Sequence, residues 1–165
     1  MALKAERVTV QEIQRSGGLY NMGTAAPGVV VCHYDNTQGQ IYVETSGVAP
    51  AVPIGILTTE VDNNYTKSNL GTLTRPENVY KNVVGSGEPI NILTIGVVTT
   101  DQIVDGDVPA AGSGAYVASS GKITTDSTYD VTVDDTGTYT RKQIGWFLSG
   151  KDSDGYAKIQ INTFA

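Results

Sequence analysis

The chain of 165 residues is poor in the side chains that most often carry chemistry: it has one cysteine, one histidine and one tryptophan. The single cysteine, Cys32, cannot form a disulfide within the chain, which indicates folding in a reducing compartment. No stretch approaches the roughly 18 apolar residues that a membrane-spanning helix needs. Residues 1–7 lack the apolar segment of a secretory signal peptide. We therefore expect a protein that is made and folded in a cytoplasm.

The same scarcity argues against an enzyme or a metal site. One His and one Cys cannot supply the four ligands of a structural zinc ion. Cys32 and His33 are neighbours in a predicted strand, so their side chains point to opposite faces and cannot form a catalytic dyad. The segment 152–155, Asp-Ser-Asp-Gly, opens like a calcium loop, but its twelfth position is Thr163, which cannot act as the bidentate carboxylate. The sequence predicts no catalytic residue, no metal and no cofactor.

Positive charge is also scarce, with 11 Lys and Arg against 17 Asp and Glu, a net charge of −6. An acidic surface repels phosphate groups, so neither nucleic acid nor a membrane surface is expected as a partner. Residues 1–27 are the exception, with a net charge of +1. Most of the negative charge lies between Asp101 and Asp135.

What the chain has in plenty is Thr, Val, Ile and Gly. Residues branched at Cβ fit a pleated sheet better than a helix, and the 19 glycines indicate many tight turns. The clearest unit is a strand at 144–149, a turn at 151–155 and a strand at 156–161, in which Ala157, Ile159 and Ile161 share one face. About ten short strands in this rhythm predict an all-β sandwich or small barrel of antiparallel strands.

Residues 1–27 do not share the rhythm of residues 28–165. Their apolar positions fit neither a clean helix nor a long strand, and glycines interrupt the segment at 17–18 and at 23. We predict an extended N-terminal arm, 1–27, followed by a compact β domain, 28–165. Because an apolar arm cannot bury itself, it should lie on its own body, on a sister subunit or on another protein.

The motif Ile-Gly followed by two apolar residues occurs three times, at Gly55, Gly96 and Gly145. A phosphate-binding loop would need a following helix and usually a lysine, and none of the three has them. Glycine inside a strand more often marks a bulge, a bend or a close backbone approach. We therefore predict that these glycines are structural corners, with similar surroundings for Gly55 and Gly96. The order of the flanking strands is also consistent with an internal duplication or with chance recurrence.

Aromatic residues offer one alternative. An exposed aromatic face can stack on a sugar ring, and nine tyrosines and Trp146 are available. However, Trp146 lies inside the apolar run 146–148, which favours packing in the core.

Several segments resemble the head decoration, or cement, proteins of tailed bacteriophages. They are Gly-Val-Val-Thr-Thr-Asp at 96–101, Pro-Ala-Ala-Gly at 109–112, Ala-Tyr-Val at 115–117 and the block 144–158. Ile-Gly-Ile-Leu at 54–57 is similar to a segment of the lambda-type members. The resemblance implies a small β-tulip or barrel-like domain with an N-terminal arm.

The resemblance further implies a structural protein without catalytic residues. Such a protein binds the outside of an assembled capsid, commonly as a homotrimer, and clamps neighbouring major capsid protein subunits. We expect the virion exterior as its location and the apolar arm residues as its capsid contacts: Val8, Val10, Ile13, Leu19 and Tyr20. The alternative is a carbohydrate- or receptor-binding β-module of a phage fibre or tail. A small hydrolase of unfamiliar type is a weaker rival, because the sequence has no convergent acid–base cluster.

Overall fold

The computed structural model describes residues 9–21, 24–33, 40–43, 52–62, 83–85, 89–131 and 137–163. It is an all-β structure built on an antiparallel, nearly closed, barrel-like sheet. The strands are Thr9–Asn21 (β1), Val30–His33 (β2), Gln40–Val43 (β3), Val52–Leu57 (β4), Glu60–Asp62 (β5), Val83–Gly85 (β6), Pro89–Thr100 (β7), Gly114–Val117 (β8), Ile123–Thr124 (β9), Thr128–Val131 (β10), Gly137–Thr140 (β11), Gln143–Phe147 (β12) and Ala157–Asn162 (β13). The all-β prediction is confirmed.

Nine of these strands form one sheet, and the long strand β7 organises it. One edge of β7 pairs with β1. Its other edge pairs with β4 at Ile92 and Leu93 and then with β13 from Ile95 to Thr100. A strand of 12 residues is long enough to hold two partners in succession on one edge.

Two circuits of strands therefore share β7. The first runs from β7 through β1, β3, β2 and β4 back to β7 and is closed by hydrogen-bonded pairing at every step. The second runs through β13, β12, β8 and β9, and returns to the segment after β7 by a bridge between Ile103 and Ile123. Closure of this kind leaves few exposed sheet edges.

The predicted hairpin of β12 and β13 is present, and two further pairs of neighbouring strands form hairpins. Strands β8 and β9 pair across a single turn of 3-10 helix at Ser119–Gly121. Strands β10 and β11 pair as a separate two-stranded sheet, and β12 pairs with β13. In β13 the side chains of Ala157, Ile159 and Ile161 are buried and the alternate ones are exposed, as the sequence pattern predicts.

The core has two parts because β2 is buried on both faces. Val30 and Cys32 contribute to the larger cluster, which extends into the second circuit through residues such as Phe147 and Ile159. Val29 and Val31 contribute to a smaller cluster with Leu57 and Ile92. A strand buried on both faces reads as a continuous apolar run, which explains the run at 29–32. Within the described residues, no helix is long and apolar enough to cross a membrane.

Candidate interaction surface

The predicted arm residues fall almost entirely in β1. Val8 lies outside the described residues. Val10 pairs with Gly96, Ile13 with Leu93 and Tyr20 with Pro89, while Leu19 lies where the register shifts between Arg15 and Tyr20. The backbone of this stretch is therefore part of the sheet of its own chain, although the sequence pattern favoured a strand only in part. The role of these arm residues as capsid contacts stays a prediction.

The second edge of β1 is paired only at one end in the described part of the chain. There, Tyr20 and Asn21 pair with Gln40 and Ile41 of β3 in parallel. For residues 9–19 the described residues supply no partner on that edge. A row of unpaired backbone N–H and C=O groups is a template on which another chain can add a strand.

All three Ile-Gly steps lie at irregularities of the sheet. The register shifts between Val31 and Cys32 opposite Gly55, between Gln143 and Gly145 opposite β8, and between Val10 and Glu12 opposite Gly96. A bulge bends its strand and increases the local twist, which a sheet needs in order to curl into a barrel. Each of the three glycines is buried.

Two of the three glycines, Gly55 and Gly145, also mark close approaches between strands. A Cβ on Gly55 would collide with the carbonyl oxygen of Leu93 and lie 2.5 Å from Cγ2 of Ile92. A Cβ on Gly145 would collide with the carbonyl oxygen of Gln160. Gly96 instead adopts a φ of 154°. Gly96 and Gly145 flank the same residue of β13, Ile161, from its two sides.

The pairing of the strands bears on the possible internal duplication. In the first set of segments, β2 pairs with both β3 and β4. In the second set, the corresponding strands are β7, β8 and β12, and the described pairings of β7 are with β1, β4 and β13. The repeated sequence order is therefore not accompanied by a repeated strand pairing.

Trp146 is at the surface, and the prediction that it packs in the core is wrong. Its side chain is 52 % exposed, although Phe147 beside it is fully buried. The physical reason is the bulge between Gln143 and Gly145, which shifts the alternation so that Ile144 and Phe147 point inward and Trp146 points outward. A bulge cannot be recognised from the apolar run alone.

Trp146 lies on the outer face of the sheet. Its cross-strand neighbours are Gly114 on β8 and Gln160 on β13. The ring of Tyr116 folds over Gly114, since a Cβ there would lie 2.7 Å from the Tyr116 ring. Trp146 and Tyr116 are thus adjacent aromatic side chains on a well-paired strand surface.

Two more large apolar side chains are exposed, one just after β12 and one on the loop that runs beside the end of β12. Leu148 follows the buried Phe147 and is 41 % exposed, on the same side of the strand as Trp146. Val108 is 86 % exposed at the tip of the loop 104–113. That loop runs alongside the end of β12, because Phe147 accepts a hydrogen bond from the Gly112 N–H at 2.8 Å and donates one to Ser113 at 2.8 Å. We call Val108, Trp146 and Leu148 the Trp146 surface.

The loop that carries Val108 is held in place by Asp107. Its carboxylate accepts hydrogen bonds from the Thr124 hydroxyl at 2.8 Å and from the Thr125 hydroxyl and N–H, both at 2.6 Å. Partial burial of this carboxyl raises its pKa, but the hydrogen bonds from Thr125 and Thr124 outweigh that effect, so the pKa of Asp107 lies below its ordinary value of 3.8. The exposed valine therefore projects from a fixed loop.

Lysines border the Trp146 surface. Lys158 is exposed on the outer face of β13, and its carbonyl accepts a hydrogen bond from the Leu148 N–H at 2.7 Å. Lys151 donates to the carbonyl of Val104 at 3.2 Å, at the base of the Val108 loop. Between the two lysines lies an open recess of about 500 Å³, lined by Thr99, Ser149, Lys151, Asp152, Tyr156 and Lys158.

The charges of this region are mixed. Lys151 and Lys158 are accompanied by Asp152, which also lines the recess, and by Asp154, and the loop 104–113 carries Asp105 and Asp107. The sequence analysis did not predict this surface. The signals that could have found it are the lysines at 151 and 158 and the valine at 108, which stands among the turn residues 105–109.

Other chemistry is sparse in the described part of the chain. No group of three or more His, Cys, Asp and Glu there is arranged to hold a metal ion. Cys32 forms no disulfide and is buried in the larger core cluster. No protein-family model matches this chain, and no curated protein matches its sequence.

Proposed function

We propose that this chain is a structural protein that decorates the outer surface of a bacteriophage capsid and clamps neighbouring major capsid protein subunits. It acts as a homo-oligomer, with a trimer favoured, and its place is the exterior of the virion. The observation that carries the proposal is the exposure of Trp146 and Leu148 on the outer side of the β12 strand and of Val108 on the loop beside it, in a chain whose sequence offers no recognisable catalytic constellation. Exposed apolar patches bordered by polar residues mark protein-binding sites.

The resemblance to decoration proteins, which covers roughly residues 28–165, supports this function, and so does the barrel-like body. The edge of β1 that has no partner among the described residues offers a second contact, in which residues 9–19 add a strand to a sheet edge of the capsid. An oligomer that engages several subunits at once gains affinity by effective concentration, even where each contact is modest.

The test is electron microscopy of capsids assembled from the shell protein that is encoded together with this chain. Expanded capsids incubated with the purified chain should show added density at three-fold or quasi-three-fold positions. Capsids without added protein are the control. If the chain neither co-sediments with expanded capsids nor adds density, the function is wrong.

The arm contact has its own test. Val8→Asp and Val10→Asp together should lower capsid occupancy while the isolated protein stays folded by circular dichroism. Deletion of residues 1–27 is a poorer variant, because it also removes β1 from the sheet. Unchanged occupancy in the double variant would remove β1 from the contact.

A second candidate is carbohydrate binding, and the position of Trp146 favours it. An indole that is half-exposed beside the Tyr116 ring offers a platform for a pyranose, and the exposed Gln160 next to it can hydrogen-bond sugar hydroxyls. Titration with a panel of glycans, followed by the fluorescence of the single tryptophan, tests this candidate.

A further inference from the structure

We infer that the loop 104–113 contains a site of spontaneous chemical modification, at which Asp105 is converted to isoaspartate through a cyclic imide with Gly106. The chain has two Asp-Gly steps, Asp105-Gly106 and Asp154-Gly155, and no Asn-Gly step. Asp-Gly closes such a ring more readily than other aspartyl sequences do, because glycine has no side chain to obstruct the attacking nitrogen. The two steps lie in turns that are hydrogen-bonded differently. The reaction involves this chain alone and is independent of the proposed function.

The reaction needs no enzyme, oxidant or other reagent. The backbone nitrogen of Gly106 attacks Cγ of the Asp105 carboxyl group and forms a new C–N bond, and one carboxyl oxygen leaves as water with the carboxyl proton and the N–H proton. Water then opens the imide at one of its two carbonyl carbons. Opening at Cγ restores aspartate. Opening at the main-chain carbonyl carbon breaks the original peptide bond and leaves isoaspartate, in which the main chain runs through Cβ and Cγ.

The first Asp-Gly step lies in the middle of an exposed turn. The Asp107 N–H donates to the Val104 carbonyl oxygen at 3.1 Å, so Asp105 and Gly106 are the two central residues. Gly106 has a φ of 82°, as the third residue of a type II turn requires. Among the described residues, its N–H makes no hydrogen bond. The reacting peptide group can therefore rotate toward Cγ while the hydrogen bond that closes the turn stays in place.

The Asp105 carboxylate is also accessible for ring closure. Its side chain is 95 % exposed, and it forms an ion pair with the Lys122 ammonium group at 3.2 Å. An ion pair at such exposure holds a side chain only weakly. A Cβ on Gly106 would have no atom within 4 Å, so the surroundings leave room for the imide.

The second Asp-Gly step is held by its hydrogen bonds. The Gly155 N–H, which would have to attack, donates to the Asp152 carbonyl oxygen at 3.0 Å. The N–H groups of Asp154 and Tyr156 donate to Oδ1 of Asp152 at 3.0 and 2.9 Å. The peptide group between Asp154 and Gly155 therefore cannot rotate unless the Gly155 hydrogen bond breaks. Gly155 has a φ of 86° and equally open surroundings, so hydrogen bonding is what separates the two steps.

Isoaspartate at position 105 would alter the loop in which it forms. The main chain gains one methylene group inside the turn that the Asp107 N–H closes. Asp107 is also the residue that anchors the loop, through its carboxylate and the hydroxyl groups of Thr124 and Thr125. Modified molecules should therefore lose part of this anchoring and melt at a lower temperature than unmodified molecules from the same sample.

The experiment stores the folded protein in warm neutral buffer and maps isoaspartate by peptide separation and electron-transfer fragmentation, which distinguishes isoaspartate from aspartate. Isoaspartate should accumulate at position 105 at least about 5-fold faster than at position 154, the factor that one ordinary hydrogen bond is worth. In denaturant both turns are lost, so the two rates should converge. Equal rates in the folded protein, or an unchanged difference in denaturant, would overturn the inference.

Two variants test the residues themselves. Asp105→Glu keeps the charge but requires a larger ring, so the signal at position 105 should disappear while that at position 154 is unchanged. Asp152→Ala removes the carboxylate that holds the Asp154 and Tyr156 N–H groups, and it should raise isomerisation at position 154 without changing it at position 105. If isomerisation at position 154 stays slow in Asp152→Ala, the side-chain hydrogen bonds of that turn are not what protects it, and this explanation of the difference is wrong.

Discussion

Replacing Gly145 by alanine should destabilise the protein strongly, because the strands on the two sides of it leave no room for a methyl group. The new Cβ would collide with the Gln160 carbonyl oxygen and lie 2.9 Å from its carbonyl carbon and 3.1 Å from Cα of Ile161. All of these atoms belong to the backbone of β13, and β13 is held on its other side by β7. The clash therefore cannot be relieved by rotating a side chain. Ordinary van der Waals contact begins at 3.4 Å.

Two effects of the substitution oppose each other. Alanine lowers the conformational entropy of the unfolded chain, which favours folding by about 0.4–1 kcal/mol. Overpacking costs about 1–3 kcal/mol, and a clash with fixed backbone belongs at the upper end of that range. We expect a net loss of about 2 kcal/mol in the free energy of unfolding, or a fall in Tm of about 4–8 °C for a chain of this length.

Thermal unfolding followed by circular dichroism measures this effect, with Gly150→Ala as the control. Gly150 is exposed, and a Cβ there would meet only the Pro109 carbonyl oxygen at 3.2 Å, which a small shift relieves. Its Tm should stay within about 2 °C of the wild type, as for most surface changes. A Gly145→Ala protein that melts with the wild type would refute the close packing of β12 on β13.

Three further predictions follow from side chains already described. The fluorescence of Trp146, the single tryptophan, should be red-shifted and readily quenched by acrylamide in the isolated protein; a blue-shifted emission that resists quenching would contradict its exposure. Asp107→Asn should lower the free energy of unfolding by about 1–3 kcal/mol at neutral pH. Because the folded-state pKa of Asp107 is depressed, its contribution is present above the ordinary pKa of 3.8 and is lost as pH falls through the lower folded value, so the difference between wild type and variant in acid titrations should shrink below about pH 3.8. Cys32 should react with thiol reagents only after denaturation, and fast labelling of the native protein would be inconsistent with its burial.

Local features of the fold could be predicted from the sequence because they depend on neighbouring residues. The hairpin of β12 and β13 follows from Asp-Gly turn chemistry and from the alternation of Ala157, Ile159 and Ile161. The β8–β9 hairpin follows from the small residues between its strands. The three Ile-Gly steps could be recognised as a repeated motif. The sheet has a register shift at each of them, and glycine within a strand commonly marks such a shift.

The remaining features depend on partners far away in the chain. Nothing local in β7 indicates that it pairs with β1 on one edge and with both β4 and β13 on the other. The breaks at Gly17 and Gly18 suggested an irregular arm, yet tertiary pairing with β7 holds β1 as a strand of 13 residues. Trp146 was assigned to the core because the bulge that turns it outward is set by the register of β8.

The shared use of β7 also has a consequence for synthesis on the ribosome. The first circuit has all its strands once β7 has emerged, whereas the second waits for β13, which begins about 60 residues later. At about 5–20 residues per second, this delay is roughly 3–12 s. During it, the stretch Ile95–Thr100 that β13 later covers presents an open strand edge beside Val98, whose side chain belongs to the larger core. The nascent chain is therefore most prone to wrong pairing and aggregation in this interval, and it is the arrival of the last strand that ends it.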